Sequence, residues 1–280
     1  HPMTHPYNRP RRLRQSPAIR AMVREHGLAP SDLIAPLFIV EGEQTTEEIS
    51  AMPGVQRHTL DRTIDEVRGL YQLGIRSVLL FVKVEEADKD NTGRAALDPE
   101  GLMPRAVKAI KAAVPEMCVM TDVALDPYSS FGHDGIVKDD QILNDETVDI
   151  LAEMALMHIQ AGADIVAPSD MMDGRILAIR SVCERAGYPN AGIMSYTAKY
   201  ASGFYGPFRT ALDSAPGFGD KATYQMDPSN STEAMREAEL DIEEGADILM
   251  VKPGMPYLDI VKTYADNFDL PIAVYQVSGE

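Results

Sequence analysis

The sequence predicts an α/β protein of the TIM (βα)8-barrel type with an extended N-terminal arm. Short apolar runs alternate with amphipathic segments along most of the 280 residues, as in a parallel sheet covered by helices. A junction of helix end, glycine, short turn and apolar run recurs as "QLGIRSVLLF", "QAGADIVAPS" and "EEGADILMVK". With 45% hydrophobic residues the chain can fill one large core, and single barrels commonly reach this length.

Residues 1–30, rich in Pro and Arg, precede the first apolar run and are expected to form the arm. Residues 31–280 are expected to form the barrel. Strands are predicted at 33–40 (LIAPLFIV), 77–82 (SVLLFV), 118–125 (CVMTDVAL), 164–168 (DIVAP), 192–196 (GIMSY), 247–251 (DILMV) and 272–277 (IAVYQV). Helices are predicted between them at 63–73, 102–113, 146–161, 176–186, 231–244 and 257–267. Gly74, Gly162 and Gly245 suit the left-handed position that ends a helix. Asn230, followed three residues later by Glu233, resembles a capping box. A closed barrel needs eight strands and about 30 residues per unit. Seven strands leave an open sheet or a last βα unit missing from this sequence, and the missing unit is the expectation because an unclosed barrel would expose its strand edges.

Lys plus Arg number 26 and Asp plus Glu 43, a formal charge of −17, which argues against nucleic acid or an anionic membrane as partner. No run of about twenty apolar residues would span a bilayer, and the arm lacks the apolar segment of a secretory signal. Cys118 and Cys183 are too few for a disulfide framework. A soluble cytoplasmic protein is expected.

The sixth apolar run ends in a single lysine, Lys252, before Pro253-Gly254, and the fifth continues to Lys199. Functional groups of parallel barrels collect at the C-terminal strand ends. If these strands are neighbours, about 4.8 Å apart, the two amines lie side by side. Each then resists protonation, and at least one is expected to be neutral near pH 7. Lowering a lysine from about 10.4 to about 7 costs roughly 4 to 5 kcal/mol. That cost suits a nucleophilic amine that attacks carbonyls to form Schiff bases. The alternative is that each lysine is solvated or paired with a carboxylate.

Phe208-Arg209, Lys221 and Gln225 follow on a long segment that could close over a ligand carboxylate, Arg being suited to bidentate binding. An ordinary solvated loop is the alternative. Asp122, Asp126, His133 and Asp134 cluster after the third strand, where they could bind a hard cation, transfer protons or cap turns.

"SYTAKYASGFYGPFR", "APSDMMDGR", "YQMDPSN", "MVKPGMPYLD" and "VYQVSGE", in that order, closely resemble the porphobilinogen synthase (5-aminolevulinate dehydratase) family, over nearly the whole chain from Arg9. The resemblance implies a TIM barrel whose arm embraces a neighbouring subunit, with homo-octamers built from arm-exchanging dimers. It implies condensation of two 5-aminolevulinate molecules, with loss of two waters, to porphobilinogen for tetrapyrrole (heme or chlorophyll) synthesis. It places the Schiff-base lysines at Lys199 and Lys252, with Lys252 holding the substrate that becomes the propionate side of the product. It places one substrate carboxylate near Ser278 and the other at Arg209, Lys221 and Gln225. Asp122 and Ser169 are implied to contact substrate amino or hydroxyl groups, with Tyr196 and Phe208 as pocket walls.

Two departures from the family pattern follow. Zinc-dependent members carry three cysteines where this sequence has Ala124, Asp126 and Asp134. Without thiolates no tight zinc site is expected, and Asp126 and Asp134 become active-site acids. An activating, allosteric Mg2+ is implied instead at Glu237. The family also continues beyond "VSGE" into a helix, an eighth strand and a segment with a carboxylate-binding tyrosine. A Schiff-base aldolase is the rival enzyme, but the glycine-rich phosphate loop it would need is not seen. An inactive homologue serving as scaffold is the non-enzymatic rival.

Overall fold

Each predicted apolar run is a parallel strand in the computed structural model, which describes residues 8–277. In chain order, β1 (Ile34–Val40) is followed by two short strands, β2 (Thr46–Glu48) and β3 (Gln56–Thr59), then β4 (Ser77–Val82) and β5 (Cys118–Val123). A hairpin of β6 (Ile136–Lys138) and β7 (Gln141–Leu143) precedes β8 (Ile165–Pro168), β9 (Gly192–Lys199), β10 (Ile248–Lys252) and β11 (Ile272–Val274). The helices are α1 (Pro17–Met22), α2 (Leu60–Gln72), α3 (Leu102–Ala113), α4 (Asn144–Ala161), α5 (Arg175–Arg185), α6 (Gly206–Leu212), α7 (Thr232–Glu244) and α8 (Leu258–Asn267).

The main sheet runs β11-β10-β9-β8-β5-β4-β1-β3-β2. From β1 to β11 its parallel strands are added strictly in chain order, the winding of a barrel rather than the reversing order of a doubly wound sheet. Beside β1, β3 pairs in parallel with Phe38–Val40 only, a pairing the sequence patterns do not show. A cavity of about 470 Å³ lies where the first and last barrel strands face each other, lined by Ile34 and Pro36 of β1 and by Ile272, Val274 and Tyr275.

Successive strand residues point to opposite faces, and the core has two layers accordingly. Phe38, Leu79, Phe81, Met120, Ala167, Met194, Tyr196 and Met250 fill the barrel. Leu37, Ile39, Val78, Leu80, Val119, Val166 and Leu249 meet the helices outside. The helices answer with apolar stripes, as α3 does with Met103, Ala106, Val107 and Ile110. Truncating a fully buried residue such as Leu80 to Ala would cost about 2–5 kcal/mol.

Gly74, Gly162 and Gly245 take φ of +94°, +114° and +107° at the helix ends, as predicted. The capping box at Asn230 is not formed. Helix α7 starts one residue later, its N-cap Ser231 makes no side-chain cap, and Asn230 instead donates to the Glu233 carboxylate at 3.0 Å. In the N-terminal segment, the turn Pro10–Arg14 and α1 bury no residue. Among the described residues, no helix is long and apolar enough to cross a membrane.

Candidate active site

Strand β10 keeps a regular alternation: Met250 points into the barrel, Val251 outward, and Lys252 inward again. Strand β9 does not. Met194 pairs with Ile248 and Ser195 with Leu249, but the next partners are Ala198 with Val251 and Lys199 with Lys252. Between the paired positions β9 thus carries one residue more than β10, a β-bulge that shifts the phase of all that follows. Met194 and Tyr196 face the interior, so an unbroken strand would bring Ala198 inward and turn Lys199 to the helices. With the bulge, Ala198 packs on the outer layer and Lys199 lines the interior cavity with Lys252. The sequence prediction ended this strand at Tyr196; it runs on to Lys199.

The Lys252 amine is surrounded by rings. Its Nζ lies 4.0 Å from the centroid of Phe208, 4.3 Å from Tyr275, 5.2 Å from Tyr205 and 5.4 Å from Tyr196. Burial first, and then the charge of Lys199, push its pKa down to about 7. The Tyr205 hydroxyl donates to the Lys252 carbonyl at 3.1 Å, fixing the strand end.

Lys199 has polar partners. Its Nζ donates to the Ser169 carbonyl at 2.5 Å and lies 3.5 Å from Asp134 Oδ2. The Ser169 hydroxyl donates to Asp122 Oδ1 at 2.6 Å. Burial, reinforced by the charge of Asp126, lifts the Asp122 carboxyl to about 7. Burial and the neighbouring Asp134 raise Asp126 as well. For Asp134, burial works upward, but Lys221 at 2.6 Å and Lys199 outweigh it and hold the carboxyl below its usual range. Burial opposes the Lys221 ammonium, and Asp134 and Asp126 together still raise its pKa. An alternating chain of charge therefore runs Asp126–Lys221–Asp134–Lys199 across the top of the barrel.

One cavity of about 30 Å³, room for roughly one water, is lined by Asp122, Asp126, Ser169, Lys199, Phe208, Arg209, Lys221, Gln225 and Lys252. Nine of the thirteen predicted site residues thus converge on it. Asp134 touches two of the nine through its ion pairs, and the Tyr196 ring lies beneath both amines. Gln225 Oε1 and Tyr196 Oη are buried there without a hydrogen-bond partner among the described residues. Ser278 lies outside the described residues.

Glu237 is elsewhere, half-buried on α7 facing the helix layer. Burial, and then the charge of Asp241, push its carboxyl up to about 7. His133 is a structural member of the acid cluster, its ring nitrogens placed 3.0 Å from the Tyr224 hydroxyl and 3.0 Å from the Phe218 carbonyl. Among the described residues, no group of three or more His, Cys, Asp or Glu side chains is arranged to hold a metal. Ala124 offers no ligand, and Lys221 occupies the space between Asp126 and Asp134, so these residues do not fit zinc.

Sequence reasoning missed Phe81, Tyr205, Leu212 and Ser214, which also line the cavity, and Tyr275. Tyr275 was legible in part. It falls two positions after Ala273 on the last strand, which puts both on the interior face.

The profile of the family described as "Delta-aminolevulinic acid dehydratase" matches residues 7–280. The chloroplastic delta-aminolevulinic acid dehydratase of Physcomitrium patens is 56% identical over 277 residues, which are 97% of this chain and 63% of that protein. The enzyme of that name from Methanothermus sociabilis is 51% identical over 99% of this chain and 86% of its own length. The chain thus spans a little under two-thirds of the moss relative and more of the archaeal one. A crystal structure of delta-aminolevulinic acid dehydratase (porphobilinogen synthase) from Toxoplasma gondii, in complex with its reaction product porphobilinogen, superposes with a TM-score of 0.96 at 48% identity, covering 100% of this chain and 79% of that one. With two interior lysines in register, acids and a basic cluster at the same strand ends, and a family profile matched over nearly its full length, the chain belongs to the delta-aminolevulinic acid dehydratase family.

Proposed function

We propose that this protein is a porphobilinogen synthase, a hydro-lyase condensing two 5-aminolevulinate molecules to porphobilinogen with loss of two waters, in tetrapyrrole synthesis. The observation that carries the reading is the Lys252 amine, brought down to about 7 and enclosed by four rings directly opposite Lys199. At neutral pH a large share of it is the free base, able to attack a ketone carbon. The resulting carbinolamine loses its hydroxyl as water with a proton from a nearby acid, and Asp122, itself near 7 and bonded to Ser169, can supply one at the same pH. The iminium then acidifies the adjacent carbon, and the carboxylate left on Asp122 can accept that proton. Holding the second substrate on Lys199 makes ring closure effectively intramolecular, worth up to roughly 7–11 kcal/mol of barrier.

Arg209, Lys221 and Gln225 are assigned to one substrate carboxylate and Ser278 to the other. The unpartnered Gln225 Oε1 supports a polar ligand in that place, but as an acceptor it would meet a donor of that ligand, and only the Gln225 amide N–H can donate to a carboxylate. Phe208 and Tyr196 are walls, and Asp126 and Asp134 position Lys221 and Lys199 through their ion pairs. Mg2+ is proposed at Glu237, as an allosteric cation that would neutralise negative charge where Asp241, Asp173 and Glu233 already raise the Glu237 carboxyl. One such carboxylate fits Mg2+, which keeps most of its waters. A homo-octamer through the arm is proposed on the exposed apolar residues Leu13, Met22 and Leu28.

The deciding experiment is incubation with 5-aminolevulinate and borohydride, followed by peptide mapping. A reduced adduct on Lys252 is expected, and a folded sample without one refutes the reading.

A further inference from the structure

Helix α6 carries Phe208, which covers the Lys252 amine, and Arg209, which lines the cavity. So short a helix is not held by its own hydrogen bonds, and α6 buries only Ala211 and Leu212 fully. Two cations grip it from outside, both at its C-terminal end. Arg57 on β3, almost fully buried, donates from Nε to the Ala211 carbonyl at 2.6 Å and from Nη2 to the Thr210 carbonyl at 2.7 Å. Its Nη1 is held by Glu47 at 3.1 Å. Lys89, from the loop after β4, donates to the Asp213 carbonyl at 3.0 Å. It pairs with Glu86 at 2.5 Å and with the Asp213 carboxylate at 3.5 Å, its side chain only 4% exposed. The last carbonyls of a helix carry the negative end of its dipole and have no partner within it. A guanidinium can meet two adjacent carbonyls at once, which a single ammonium cannot do in the same geometry. Neither cation lines the cavity.

We propose that Arg57, assisted by Lys89, is a positioning residue for the active site: it clamps the C-terminal end of α6 and so holds Phe208 over Lys252 and Arg209 in the substrate pocket. The functional meaning rests on the reading of Lys252 as the reactive amine. The charged and titratable groups that face this amine are Lys199 and Tyr196 on β9, Asp122 on β5, Asp126 and Asp134 in the loop beyond it, Tyr205 before α6 and Tyr275 after β11. Substituting Arg57 alters none of them. Releasing α6 admits water to the amine and relaxes the burial that depresses it.

The test uses the full chain with Arg57→Gln, Arg57→Lys and Lys89→Met, and two readouts that need no turnover. One is amide hydrogen exchange over residues 206–214. The other is the pH midpoint of Lys252 acetylation by trace acetic anhydride, mapped by mass spectrometry. Arg57→Gln is expected to speed exchange over α6 at least tenfold while α3 and α4 keep their protection, and to raise the Lys252 midpoint by one pH unit or more. Arg57→Lys should fall between it and the unsubstituted chain, and Lys89→Met should shift both readouts the same way by less. Unchanged exchange over α6 overturns the proposal, and so does faster exchange with an unmoved midpoint. If Arg57→Gln loses the protection of α3 and α4, Lys89→Met decides by the same two criteria. Failure of the unsubstituted chain to form an imine with 5-aminolevulinate would refute the reaction while leaving both readouts able to judge the clamp.

Discussion

Lys252 is the register partner of Lys199, yet the two amines are held differently. Lys199 has Asp134 at 3.5 Å and a backbone carbonyl at 2.5 Å, whereas Lys252 forms no ion pair among the described residues and looks onto rings. The asymmetry supports the proposal that Lys252 attacks first at neutral pH. Lys252→Met is expected to abolish borohydride trapping and to lower turnover by at least about a thousandfold, the scale of a lost covalent nucleophile. Lys199→Met should lower turnover while still trapping substrate on Lys252. Equal trapping on Lys199 in the Lys252→Met protein would contradict the assignment.

The same burial has a cost in stability with a definite pH dependence. With Lys252 near 7 when folded and about 10.4 when unfolded, the unfolded chain binds more protons between these values. Stability from this group therefore rises with pH across that window, and below 7 the whole penalty is present. Lys252→Met should stabilise the fold most at pH 6–7, by at most roughly 4 to 5 kcal/mol, seen as a higher melting temperature, with the gain fading toward pH 10. Melting curves at pH 6.5 and 9.5 check this, and a gain independent of pH would show that the amine is not depressed.

Asp134 sits between two buried lysines, with Lys221 at 2.6 Å. Removing its charge strands Lys221 beside Asp126 alone, at 3.5 Å. Asp134→Asn is expected to cost about 3–5 kcal/mol in urea unfolding, the scale for breaking a buried pair. The double variant Asp134→Asn, Lys221→Met should recover part of that loss, and strict additivity would show that the two are not coupled.

Glu237 is remote from the cavity, so its proposed role separates cleanly from catalysis. Glu237→Gln should leave activity in EDTA unchanged and abolish the stimulation by added Mg2+. Magnesium titration followed by melting temperature gives a second readout. A variant that still shifts on adding Mg2+ would place the cation elsewhere.

Much of this arrangement is legible in the residues and some is not, for physical reasons. Helix α3 matches its predicted span, 102–113, because Gly101 and Pro115 bracket a strong apolar stripe. The lysines stand out because each ends an apolar run where a charge is costly. The hairpin strand β2 is hidden because Thr46–Glu48 is polar and mostly exposed. Helix α6 is hidden because it opens on Gly206-Pro207, which reads as a turn. The grip of Arg57 on Ala211 joins positions 154 residues apart, beyond the reach of any local pattern. Tyr205 and Tyr275 read as core aromatics, and only the folded barrel shows that their rings face an amine.

The extra residue in β9 also changes how sequences of this kind should be compared. In most of a barrel, a one-residue gap in a loop is tolerated and carries little information. Between Ser195 and Ala198 a gap of one would remove the extra residue, and the strand would then alternate regularly and still bring the next lysine opposite Lys252. A relative with such a gap could keep a lysine at the position aligned with 199 and reach the same pair of amines without a bulge. For this segment a gap of one marks the presence or absence of the bulge, and the lysine that closes the strand tells one-lysine chemistry from two-lysine chemistry.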